Sequence, residues 1–137
     1  MIEVVGKIEV AVSADRAWRL LGGFDSLPLW IPMIETSVLE EGGRVRYLTA
    51  AGGITIRERM LTFDEQARLY TYAYVEGPDP VKNYIGKVSV EEKTSDSCVI
   101  SWGSRFEPAG LSESEAIERY GNAYKSSVTH AKSILEA

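Results

Sequence analysis

From Ile34 to Phe106 the chain runs in short stretches of alternating polar and apolar residues, each closed by a turn a few residues long. No connection in this region can hold a crossover helix. Parallel neighbours need a dozen or more connecting residues, so these stretches pair as antiparallel hairpins. The expected strands are 34–40, 43–50, 54–63, 68–76, 83–92 and 97–106, with turns at Glu41-Gly42, at 51–53 and in "DEQA", "EGPDP" and "KTSDS".

One more strand and three helices flank this meander. Residues 2–12, "IEVVGKIEVAV", put Ile2, Val4, Ile8, Val10 and Val12 on one face and Glu3, Lys7 and Glu9 on the other. Ser13 is the N-cap of a short helix carrying Ala17, Trp18 and Leu21, ended by Gly22-Gly23. A second helical turn lies in "DSLPLWIP", capped by Asp25 or Ser26, with Pro28 in its first turn. Near the C-terminus Ser112 and Glu115 make a capping box. The long helix that follows carries Ile117, Tyr120, Tyr124, Val128, Ala131 and Leu135 as one apolar stripe, thinned beside Gly121. A sheet with one apolar face and a helix with one apolar face pack best when the sheet curls around the helix. The expected class is α+β: a seven-stranded curved antiparallel sheet wrapped around a long C-terminal helix, with two short helices after strand 1, in a single domain over 1–137. A bent sheet cannot follow a straight helix along its whole length, so a cavity is expected between them.

The counts narrow the chemistry. Net charge is -5 with no block of Lys and Arg, which argues against nucleic acid. No apolar run approaches the ~20 residues of a membrane span, so no membrane insertion is expected. A single Cys98 and a single His130 leave no Cys/His metal site and no Cys–His nucleophile. "LLGGF" and "EEGGR" lack the spacing of a phosphate-binding loop. No metal or cofactor is expected, and any reaction must use carboxylates, Arg, Tyr and shape. A lone cysteine and the alternating pattern directly after Met1 lead to the expectation of a cytoplasmic protein. Trp18 and Cys98 read as core side chains and His130 as solvated.

One residue breaks the pattern. Glu58 falls on the same face as Ile54, Ile56 and Met60. With 51–53 as a three-residue loop, Ala50 pairs with Ile54, Leu48 with Ile56 and Arg46 with Glu58, so an arginine meets the carboxylate on the inner face. A two-residue turn at Glu41-Gly42 puts Ser37 opposite Arg46 and makes Glu35 a diagonal neighbour. The last hairpin pairs Tyr84 with Phe106, Gly86 with Ser104, Val88 with Trp102 and Val90 with Ile100, all inward, with Gly86 leaving room for the Trp102 indole. Tyr72 belongs beside Glu58 on the intervening strand, within one residue of register. The group reads either as a structural ion pair or as the polar anchor of a hydrophobic pocket, and the two are compatible.

"AWRLLGGFDSLPLWIP", "GGRVRYL", "GGITIRERM", "YTYAYVEGPDPVKNYIGKVSV" and "SWGSRFEP", in this order, resemble the bacterial polyketide cyclase/dehydrase family of the START-like, helix-grip superfamily that includes Bet v 1-type proteins. The resemblance covers nearly the whole chain. It implies a cavity for a small hydrophobic or aromatic, polyketide- or lipid-like molecule. It implies Trp30 and Pro32 at the cavity mouth, and Arg46, Glu58, Tyr72 and Trp102 at positions where the family carries its strand residues. Glu35, Leu48, Ile56, Tyr84, Tyr120 and Tyr124 complete the expected ligand-binding set, and Arg46, Glu58 and Tyr72 are the catalytic candidates. The resemblance leaves two roles open: a cyclase or dehydratase, or a non-catalytic carrier, sensor or partner-binding module. Either is expected as a monomer or homodimer.

Overall fold

The computed structural model describes residues 1–137. The chain runs β1 (Ile2–Val10), α1 (Ala14–Leu21), α2 (Leu27–Trp30), β2 (Ile34–Glu40), a 3-10 turn (Glu41–Gly43), β3 (Val45–Ala50), β4 (Ile54–Asp64), β5 (Leu69–Glu76), β6 (Val81–Thr94), β7 (Ser97–Pro108) and α3 (Glu113–Leu135). Seven strands form one antiparallel sheet in the order β1-β7-β6-β5-β4-β3-β2. This is the helix-grip arrangement. β2 to β7 pair in sequence, and β1 closes on β7 from Ile2↔Phe106 to Val10↔Cys98.

Local signals explain the helices. Ser13 Oγ accepts from the Arg16 amide at the start of α1. At α3 both halves of the capping box form: Ser112 Oγ accepts from Glu115 N, and Glu115 Oε1 accepts from Ser112 N, each at 3.1 Å. The buried stripe of α3 is Ala116, Tyr120, Tyr124, Ser127, Val128, Ala131 and Leu135. Ile117, expected in that stripe, is 49% exposed, because Ala116 takes the inward place in the first turn.

α3 runs close to β1 and β7 and leaves β2 to β5 at a distance. The cause is Gly6, the one inward position of β1 without a side chain. A Cβ there would lie 2.6 Å from the backbone of Tyr124 and Lys125. Helix and sheet touch backbone to backbone at that edge and diverge toward the other. The Gly121 position, read as a thinning of the stripe, has Val4 at ordinary contact distance instead.

The β3–β4 register and the β6–β7 register from Gly86 to Val90 fall where the turn lengths put them, with Arg46↔Glu58, Leu48↔Ile56, Val88↔Trp102 and Val90↔Ile100, while the expected Tyr84–Phe106 pair falls at a register shift between Lys82 and Ile85. Three local expectations fail. The β2–β3 turn is longer than two residues: Glu41, Gly42 and Gly43 all take positive φ, and Leu39 rather than Ser37 faces Arg46. Bulges in β4 move β5, so Met60 pairs with Tyr72 and Glu58 with Tyr74. The space at Gly86 serves Tyr72, whose ring a Cβ would meet at 2.1 Å, and not Trp102.

Candidate functional site

Arg46 is fully buried, and its Nε and Nη1 donors are spent on the protein. Nε donates to Glu58 Oε1 at 2.9 Å, while Nη1 donates to the Phe24 carbonyl at 3.1 Å and to the Tyr70 hydroxyl at 2.9 Å. Nη2 lies 2.8 Å from the same Glu58 oxygen, an ion-pair contact without hydrogen-bond alignment. The guanidinium carbon sits 4.4 Å from the Phe24 ring centre and 4.5 Å from that of Tyr72. Arg46 thus ties the α1–α2 connection to three strands. The hydroxyl that meets it belongs to Tyr70, while Tyr72 offers the face of its ring.

Glu58 faces the other way. It is 7% exposed and lines a cavity of about 180 Å³ between the sheet and α3. Its Oε1 takes both contacts from Arg46, and no protein group donates to Oε2. Burial pushes its carboxyl above the usual range; the charge and hydrogen bond of Arg46 offset part of that, and the nearby Asp79 adds to it.

Tyrosines dominate the wall. Trp102 Nε1 donates to Tyr72 OH at 2.7 Å, Tyr72 and Tyr84 hydroxyls lie 3.2 Å apart, Tyr84 and Tyr124 2.6 Å, and Tyr124 and Ser104 Oγ 2.6 Å. An indole N–H only donates, so Trp102 donates to Tyr72, while in each of the three hydroxyl contacts either partner can be the donor. Burial is the largest cause that holds Tyr72, Tyr84 and Tyr124 well above the ordinary phenol range.

The expected residues divide cleanly. Leu48, Ile56, Glu58, Tyr84, Trp102, Tyr120 and Tyr124 line the cavity. Arg46 and Tyr72 stand behind its wall, and Trp30 is fully buried edge-on to Trp102 at 5.7 Å. Pro32 and Glu35 are exposed and outside the lining. Glu35 sits at an irregularity between Ile34 and Thr36 that breaks the alternation, which is why counting from the turn misplaced it.

Sequence reasoning also missed the clasp at the cavity rim. Asp79, in the β5–β6 loop, accepts from Tyr74 OH at 3.0 Å and from Tyr120 OH at 2.5 Å, and its amide donates to Tyr74 OH at 3.0 Å. "GPDP" signals a turn; nothing local announces that its carboxylate will close on two tyrosines from other elements. A larger hollow of about 850 Å³ lies on the outer sheet face, lined by Lys7, Lys87 and Lys93 among Glu3, Glu9 and Glu91. Its interleaved charges suit solvent.

The side chains form no group of three His, Cys, Asp or Glu able to hold a metal ion. No helix is long and apolar enough to cross a membrane.

Comparison with known proteins places this geometry. Comparison with curated proteins returns no match. Among solved structures, the protein XoxI from Bacillus cereus is 36% identical, with TM-score 0.96 over 99% of this chain and 96% of that one. A START superfamily protein from Mycobacterium smegmatis shares the fold at 17% identity, with TM-score 0.80 over 98% of this chain and 97% of that one. Norcoclaurine synthase from Thalictrum flavum does so at 22% identity, with TM-score 0.73 over 99% and 87%. A family described as polyketide cyclase / dehydrase and lipid transport matches residues 1–136. By that match the chain belongs to the polyketide cyclase / dehydrase and lipid transport family, within the START-like, Bet v 1-type helix-grip fold.

Proposed function

We propose that the protein binds one small apolar or aromatic molecule in the cavity between its sheet and α3. The observation that carries this reading is Glu58: a nearly buried carboxylate with one oxygen held by Arg46 and the other, unpaired with any protein donor, in a cavity of mostly apolar wall. Ligand sites commonly combine apolar walls with a few such polar groups. At about 180 Å³ the space suits a molecule smaller than a polycyclic polyketide or a lipid. Arg46 serves as a positioning residue, because its donors are turned to Glu58, Phe24 and Tyr70. Tyr72 orients Trp102 and Tyr84 in the same way.

The test fills the cavity from the α3 side, where Ala123 lines it. Neutral one-ring probes such as indole and 2-phenylethanol should raise the thermal midpoint of the wild type and leave Ala123→Phe unmoved. A folded Ala123→Phe that responds equally, or a wild type that responds to neither probe, defeats the reading.

A catalytic version is favoured by the same oxygen. Glu58 Oε2 is free to take a proton, and burial raises its carboxyl toward the working range of a general base. Such a base would remove a proton α to a ligand carbonyl. Deuterium exchange at that carbon of a bound ketone, faster with wild type than with Glu58→Gln, would mark an enzyme. Equal exchange rates would mark a binder.

A further inference from the structure

We propose, resting on the cavity reading above, that the ligand is a compact organic cation: a protonated amine on a body the size of one aromatic ring. Size comes first. At the packing density of protein interiors, about 180 Å³ holds roughly ten non-hydrogen atoms.

The sign of charge follows from what the wall offers. An ionised carboxylate only accepts hydrogen bonds, so whatever meets Glu58 Oε2 must donate. The donors of the wall are already committed. Tyr74 and Tyr120 donate to Asp79, Trp102 donates to Tyr72, and the hydroxyls of Tyr84 and Tyr124 are engaged with their own neighbours. Apart from the exposed Arg119, an anion entering here finds no uncommitted donor in the lining. Two carboxylates border the space, Glu58 inside and Asp79 at the rim. The one cation in the lining is Arg119, which is exposed and lies 5.6 Å from the Tyr120 ring centre. The charge of Arg46 sits behind Glu58, on the far side from the cavity.

The rings supply the rest. Tyr74, Tyr84, Trp102, Tyr120 and Tyr124 all line the space, and electron-rich ring faces attract an ammonium group once it is stripped of water. A neutral ligand gains only the one acceptor. A protonated amine gains the charge-assisted bond to Glu58 and the attraction of the rings.

Three matched probes test this at pH 7: 2-phenylethylamine, 2-phenylethanol and phenylacetate, titrated calorimetrically into the wild type. The amine should bind about tenfold or more tightly than the alcohol, and phenylacetate should give no binding. Glu58→Gln should bring the amine down to the affinity of the alcohol. An amine preference below about threefold, or phenylacetate binding as tightly as the amine, overturns the proposal and leaves the cavity reading intact. Binding of none of the three, with the protein folded, defeats both. A folded Glu58→Gln that keeps the amine preference overturns the assignment to Glu58. Should that variant fail to fold, the wild-type ranking still decides the ligand class. The Glu58 side-chain carboxyl resonance then decides the site, since it should move with the amine and not with the alcohol.

Discussion

Arg57 and Glu58 are neighbours on β4 and look in opposite directions. On the outer face, Arg57 bonds Glu40 of β2 at 2.9 Å, pairs with Glu76 of β5, and lies 4.2 Å from the centre of the Tyr47 ring. On the inner face, Arg46 and Glu58 make an equivalent set: ion pair, neighbouring strands, aromatic cover. The groups are the same; the solvent differs. Arg57 is 37% exposed at its side chain and Arg46 is 0%. Water and salt screen the outer cluster, so its net contribution is small. The inner cluster has exchanged water for fixed protein partners, and losing one partner strands the others. An ion pair becomes architecture only where nothing else can solvate its members.

The sharpest way to break the comparison is Arg46→Met. It removes the counter-charge of Glu58 and the donor to the Phe24 carbonyl and Tyr70 hydroxyl, and should cost about 3–5 kcal/mol in chemical denaturation. A loss under about 1 kcal/mol would put the inner pair on a level with the outer one.

Gly86→Ala attacks the same side without touching a charge. Its methyl group would push on the Tyr72 ring that covers Arg46, at an expected cost of about 1–3 kcal/mol. In a Tyr72→Leu background the cost should shrink, because the smaller side chain gives way; a cost unchanged there would show the clash to be elsewhere.

The third prediction uses pH. Burial raises the Glu58 carboxyl, so above about 4.5 the folded chain keeps a proton that the unfolded chain has released. Stability from this group is fully present below the unfolded value and is lost as pH rises through the folded one. Wild-type stability minus that of Glu58→Gln should therefore fall across this window. A difference that rises with pH would mean that the pull of Arg46 outweighs burial.

The smallest effect belongs to the outer face. Arg57→Met should cost under about 1 kcal/mol at low ionic strength and less in molar salt. A larger, salt-insensitive loss would erase the contrast.

The inner pair was legible in the sequence because two independent rules agree on it. The alternation put Glu58 on the apolar face, and the three-residue loop at 51–53 left one register for Arg46. Tyr72 was misplaced because its position depends on bulges in β4, which carry no local signature there. Ser37 was misplaced because Glu41, a residue with no special freedom, joins two glycines in a longer turn, and Glu35 because the alternation also breaks between Ile34 and Thr36. The cavity as such followed from geometry, a bent sheet against a straight helix. Its rim did not, because Asp79 meets Tyr120 across 41 positions of chain and no periodicity reports that distance. Gly6 was legible in principle: a gap in the inward alternation of β1 marks where a backbone must come close.

That gap also sets the aperture of the molecule. Tyr124 rests its backbone on Gly6 while its ring reaches the cavity wall, and α3 leans away from β2 to β5 as a lever leans from its fulcrum. A side chain at the fulcrum would lift the lever, withdraw the ring and widen the jaw. The width of the cavity can thus be retuned from the opposite edge of the sheet, by a residue outside its lining.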